Sequence, residues 1–179
     1  MAESFSNKVG RAIGVVTTST GASVGITTNL ITGISTAGVS LNDLVDTGNY
    51  IAGTRVSTIG AGEVTVDRDS TNTASATSQI VKFMQPTVLY TSPSNVKTIL
   101  IGGTFANNTN GQVGLTVELL DNSTGITVAL ASKIPVPAGS SFVISDTGKT
   151  LLESLDAIRV YCDTSNAIDA NISILTGVN

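Results

Sequence analysis

The chain has 179 residues, of which 41% are hydrophobic and only 12% charged, with a net charge of −4 at pH 7. This is too apolar for a disordered chain and too acidic for a binder of phosphate backbones. The absence of His removes the commonest general base and metal ligand, and a single cysteine, Cys162, excludes disulfide scaffolds within the chain, zinc clusters and redox pairs.

The missing polarity is carried by 26 Thr, 20 Ser and 18 Gly, the composition of strands and tight turns. Trp is absent and aromatics make up 4%, too few for a base-stacking platform or a sugar-stacking cleft. One compact body of this size would expose about 8,000 Å² and bury about 70% of the unfolded surface. Two equal domains would each bury nearer 63%.

Residues 1–22 open the chain with Phe5, Lys8 and Arg11, followed by the uncharged stretch VVTTSTGAS. They read as an extended arm. The acid at Glu3 and the lack of a long apolar core argue against a signal peptide. Residues 12–42 are uncharged but studded with Thr, Ser and Gly, which argues against a membrane span.

Residues 23–84 follow as a small β-module. Short β-branched runs between turn residues predict strands at 28–34, 49–51, 54–59, 63–67 and 78–83. Val56 and Ile59 fall on opposite faces under strict alternation, so a bulge or a strand end is expected near Gly60. Gly60-Ala61-Gly62 suits a hairpin connection. The stretch 68–77 has no large apolar side chain and reads as an exposed loop. Helical periodicity is confined to a turn or two at 41–45 and at 150–155.

The rest, 85–179, begins after Met84-Gln85-Pro86, where Pro86 cannot donate to a ladder. It predicts seven strands, at 88–91, 96–105, 113–120, 126–132, 141–145, 157–162 and 167–175. Val113, Leu115, Val117 and Leu119 share one face, as do Ile158, Val160 and Cys162. Asp121-Asn122-Ser123-Thr124-Gly125 is a turn between two alternating runs, hence a hairpin. Gly102-Gly103 within a strand suggests a bulge, and Pro135–Gly139 a rigid loop. Seven short strands in this span suggest a β-sandwich of jelly-roll type. The expected fold is therefore all-β: an arm, a small module and a jelly-roll-like sandwich.

Candidate chemistry is sparse. Asp67 and Asp69 flank Arg68 without the spacing of a calcium loop. Asp43 and Asp46 lack a partner base and read as a cap or loop pair. Cys162 has no His to activate it and reads as a small buried hydrophobe. Ser140-Ser141 lacks the G-x-S-x-G context of a nucleophile elbow. Asn107, Asn122 and Asn171 sit in Asn-x-Ser/Thr sequons, which a chain of this composition produces by chance. No catalytic, metal or cofactor site is expected. The residues singled out for partner binding are Phe5, Lys8 and Arg11, an apolar anchor beside two cations.

Two stretches carry a resemblance. NYIAGTRVSTIGAGEVTVDRDSTNTAS resembles a β-module that recurs in bacteriophage and bacterial surface proteins. Ile51, Gly53, Thr54, Val56, Ile59, Gly62, Val64 and Thr65 match its pattern, and Asp67 departs at the usual Ser. The segments VLYTSPSNVKTILIGGTFANNTNGQVGLTVELLD, ASKIPVPAGSSFVI and LLESLDAIRVYCD, with the opening MAESFSNKVGRAIG, resemble virion structural proteins of tailed phages, notably cyanophages. Leu155-Asp156 stands where those proteins carry Gly-Asp.

The resemblance implies a non-enzymatic virion protein. A capsid decoration (cement) protein is the leading reading, and a neck, collar or tail-fibre component the alternative. Its implied partners are other virion proteins, the major capsid protein first, and further copies of itself in a closed ring such as a trimer. Neither nucleic acid nor membrane is implied. A glycan- or receptor-binding module on a fibre is the reading from another class. It would use exposed aromatics, and Tyr50, Tyr90 and Tyr161 are the only tyrosines.

Overall fold

The computed structural model describes residues 3–178. In chain order its strands are β1 (Ser4–Ile13), β2 (Val15–Val24), β3 (Leu30–Thr32), β4 (Leu44–Asp46), β5 (Val56–Gly60), β6 (Glu63–Val66) and β7 (Ala76–Gln85), then β8 (Thr87–Thr91), β9 (Lys97–Asn107), β10 (Val113–Asp121), β11 (Ile126–Val136), β12 (Ser141–Leu152), β13 (Ala157–Cys162) and β14 (Ile168–Val178). There is no helix among the described residues. The segments 41–45 and 150–155 are strand and turn: the backbone of Leu44 and Val45 pairs with β7, and that of Thr150–Leu152 with β9.

The chain divides into two units, Met1–Gly14 with Thr87–Asn179, and Val15–Pro86. The first is an antiparallel sandwich. One sheet runs β1-β14-β9-β12, the other β8-β13-β10-β11. If the eight strands are counted in order, the sheets read 1-8-3-6 and 2-7-4-5, the double Greek key of a jelly roll. Between the sheets lie Leu100, Phe105, Leu115, Val117, Ile158, Val160, Ile172 and Ile174, all buried. All seven strands expected in 85–179 are present. The eighth comes from the chain's start.

This overturns the arm. Residues 4–10 pair with β14 from Ser4↔Thr176 to Gly10↔Ala170, and Ile13 is a core residue. Residues 15–24 belong to the second unit, where Ser19, Ala22 and Val24 are buried. The module therefore begins at Val15, not at residue 23, and it is inserted between the first two strands of the jelly roll. It ends at Pro86, two residues past the expected end at residue 84.

The inserted unit is a sheet of order β4-β7-β2-β3-β6-β5, antiparallel throughout. Its end strands meet: Asn42 N donates to Val56 O (2.9 Å), Val56 N to Asp43 O (3.0 Å) and Val45 N to Thr54 O (2.9 Å). The sheet thus closes into a barrel, which removes its edges. Ile31, Val64, Val81 and Phe83 fill it. The expected strand at 49–51 is instead a bend and turn, with the Tyr50 hydroxyl donating to Thr28 O. Strand β5 ends at Gly60, the strand end expected there, and a bulge lies at Ser57, where the pairing skips from Val56 to Thr58. Residues 68–75 do form a loop, but Ser70 is buried in it and β7 starts at Ala76.

In β9 the pairing to both neighbours skips Ile101, so Leu100 and Phe105 both reach the core across a bulge beside Gly102. A Cβ on Gly103 would lie 2.7 Å from Ile172 Cγ2, so glycine is required for that close approach. The loop expected at Pro135–Gly139 begins only at Pro137, because β11 continues to Val136.

A candidate docking face on the jelly roll

The pleat of the β1-β14-β9-β12 sheet sets what its solvent face presents. Residues opposite one another in register share a face. Phe5 stands opposite Leu175, Leu175 opposite Ile99, and Ile99 opposite Leu151. The result is an apolar row across all four strands. Phe5 and Leu151 are exposed, and Leu175 and Ile99 half-buried. A second row, four residues along β1, runs from Val9 through Asn171 and Thr104 to Val143, with an exposed aliphatic side chain at each end.

The three residues singled out for partner binding are held on β1 by this pairing. Phe5 and Arg11 face solvent. Lys8 falls on the opposite, inward face, with its Nζ 5.9 Å from the centre of the Tyr90 ring. The structure thus separates Lys8 from the other two. Sequence reasoning missed Leu175, Ile99 and Leu151, because their co-alignment depends on pairing between strands far apart in sequence.

The remaining candidates are local structural devices. Cys162 is fully buried in the core, and burial, then the nearby Asp163, pushes its thiol up to about 12. Asp43 is fully buried. Its Oδ2 accepts from Ser40 N (2.8 Å), its Oδ1 has no partner, and burial raises its carboxyl above the ordinary range. Asp67 Oδ1 accepts from Arg55 N (2.8 Å). Asp121 caps its turn by accepting from Ser123 Oγ (2.7 Å) and Ser123 N (2.9 Å), and the Ser123 hydroxyl leads in lowering its carboxyl.

Asn107 is buried, with its amide spent inside the fold, while Asn122 and Asn171 are exposed. Burial and, second, the Asp69 charge push the Tyr50 phenol up to about 12. Among the described residues no group of three or more His, Cys, Asp and Glu is placed to hold a metal ion. The open groove beside Ser23, Thr28, Leu30 and Thr77 carries no charged side chain.

The class these features define is a jelly-roll β-sandwich that carries a barrel between its first and second strands. No family model and no curated protein matches the chain. Among solved structures, it is similar to a chain from the structure of the infectious bursal disease virus Gx strain, at 12% identity and TM-score 0.37, over 96% of this chain and 55% of that one. A chain of the T13 particle of the same virus is similar at 8% identity and TM-score 0.30, over 98% and 69%. The Gt strain gives 14% identity and TM-score 0.26, over 96% and 55%. The chain thus spans about half the length of the first of these. Likeness at this level decides neither fold nor role, and the jelly-roll assignment rests on strand order and register.

Proposed function

We propose that the chain is a non-enzymatic structural protein of a tailed-phage virion, and that it acts there as a capsid decoration protein that binds and stabilises the assembled head. The observation that carries this reading is the apolar row Phe5–Leu175–Ile99–Leu151 on the solvent face of the jelly roll. Apolar side chains gathered on a folded surface mark an interaction site. Jelly rolls serve as viral capsid domains, but also as lectin domains and cupins. The fold alone therefore does not choose among them. The resemblance to phage virion proteins, which extends over both units, favours the virion.

Docking of such a face stabilises the folded protein and its partner together by mass action, with no chemical step. The partner is the major capsid protein. A neck, collar or tail-fibre position uses the same face against a different virion protein.

Particles assembled without the protein provide the test. Purified protein is expected to bind them to a fixed copy number and to raise the temperature at which heads release DNA. Leu151→Lys and Val143→Lys, both at exposed positions, should lose most of that binding while melting as the unmodified protein does. Absence of binding by the unmodified chain, or full binding by both variants, would overturn the reading.

A further inference from the structure

Strand β1 is the edge of its sheet and pairs on one side only, with β14. On its solvent face, at every second residue, stand Phe5, Asn7, Val9 and Arg11, with Glu3 one residue before the strand begins, all exposed. The order is acid, apolar, amide, apolar, base. Phe5 (74%) and Val9 (76%) are the most exposed of the large apolar side chains among the described residues. Read in reverse, this row is its own complement. We propose that two copies of the chain pair β1 to β1, antiparallel, about a two-fold axis at Asn7, to form a dimer with one continuous eight-stranded sheet.

In that register Glu3 faces Arg11 of the second copy, Phe5 faces its Val9, and Asn7 faces its Asn7. The Glu3–Arg11 and Phe5–Val9 contacts each occur twice and the Asn7 pair lies on the axis, as an isologous interface requires. The free N–H and C=O groups of each edge gain ladder partners. The apolar row running from Leu151 to Phe5 continues onto Val9 of the second copy. A slip of two residues sets Phe5 against an amide or a charge, and parallel pairing sets Glu3 against Glu3. The side chains thus specify one register. The bulge at Arg11–Ala12, with φ +54° at Ala12, ends the pairing at Arg11. The opposite edge, β12, breaks register between Ser145 and Thr150 and offers no comparable template. The pairing is a property of the free chain and does not rest on the virion reading.

Cross-linking tests the register directly. Residues opposite each other in an antiparallel pair have Cα atoms about 4.5–5.5 Å apart, within the disulfide range of about 4.4–6.8 Å. Asn7→Cys should therefore oxidise readily to a covalent dimer. Phe5→Cys should not, because four residues of offset separate its two copies by about 14 Å along the strand. Cys162 is buried and gives no background.

In sedimentation, the unmodified chain should dimerise with rising concentration. Glu3→Arg and Arg11→Glu each set two like-charged pairs face to face and should weaken the dimer roughly tenfold. Combining the two restores opposite charges and should restore the affinity. Three results would each overturn the proposal: a monomer up to near-millimolar concentration, cross-linking at Phe5→Cys as fast as at Asn7→Cys, or a double charge reversal no better than the single ones. The last two would assign the association to another surface.

Discussion

Asn107 closes one end of the jelly roll, and replacing it tests whether that end is built as described. It is 1% exposed. Its Nδ2 donates to Gly111 O (2.7 Å) and Val136 O (2.9 Å), and its Oδ1 accepts from Thr109 N (2.9 Å) and Thr109 Oγ1 (2.8 Å). One side chain thus shapes the β9–β10 loop and fastens it to the end of β11.

Asn107→Ala removes these four bonds and a longer fifth, from Nδ2 to Pro137 O (3.2 Å). Val136 O is left buried without that partner, at about 1–3 kcal/mol, while the Gly111 and Thr109 groups lie nearer to water and lose less. The expected total is about 3 kcal/mol. Asn107→Asp keeps the shape and the bonds from Thr109 but turns a carboxylate oxygen towards the carbonyls of Gly111, Val136 and Pro137. It should cost at least as much at pH 7. That carboxyl would titrate above its ordinary value in the folded state, so the variant should regain stability as pH falls towards about 4.

Urea unfolding followed by far-UV circular dichroism measures the loss at unchanged slope. Hydrogen exchange should place it in the jelly roll, with the barrel amides of residues 15–86 unaffected. A loss under about 1 kcal/mol for Asn107→Ala, or wild-type stability of Asn107→Asp at pH 7, would refute the reasoning.

Three further outcomes are expected. Native protein at pH 8 should resist thiol reagents at Cys162, and rapid labelling would contradict its burial; Cys162→Ala should cost about 1 kcal/mol as a small cavity. Asp43→Asn keeps the acceptor for Ser40 N and removes a buried charge. Because the folded state raises this carboxyl, stability falls as pH rises above the ordinary value of 3.8; the variant should melt higher than wild type at pH 7 and depend less on pH, and a lower melting temperature would refute this. Leu155 holds φ +67° at the position where the resembling proteins carry glycine. A left-handed Leu costs about 1–2 kcal/mol and Gly returns about 0.5–1 of that in chain entropy, so Leu155→Gly should be neutral to about 1 kcal/mol stabilising in chemical unfolding, and a clear loss would refute the strain.

The strands of 85–179 were legible because their large side chains alternate in the ordinary sense, apolar inward. Val113–Leu119 is an example, with Val113, Leu115 and Val117 in the core. Strand β1 inverts that sense. Ahead of its bulge its large apolar residues, Phe5 and Val9, face solvent, while Ser6, Lys8 and Gly10 face inward, and only Ile13 past the bulge is in the core. A Cβ on Gly10 would lie 2.9 Å from Ile13 Cδ1 and 3.0 Å from Leu89 Cδ1, so that face has no room for bulk. A strand so patterned reads as an arm.

In β2 the buried positions are Ser19, Ala22 and Val24, too small to register as a core. The insertion was hidden for a different reason. Both units are all-β, and only the pairing of β1 with β14, separated by most of the chain, shows that one interrupts the other. The docking face was half legible. Phe5 and Arg11 stand out in the sequence, whereas the row that Phe5 joins exists only in register.

The most direct measurement of the proposed virion role is a cryo-electron microscopy reconstruction of particles purified from cells that produce this chain. The account predicts ordered density for an eight-stranded jelly roll on the head, with residues 4–13 as a strand of its sheet and the Phe5–Leu175–Ile99–Leu151 row buried against the capsid. Purified particles that contain none of the protein, or a jelly roll whose row faces open solvent, would contradict it.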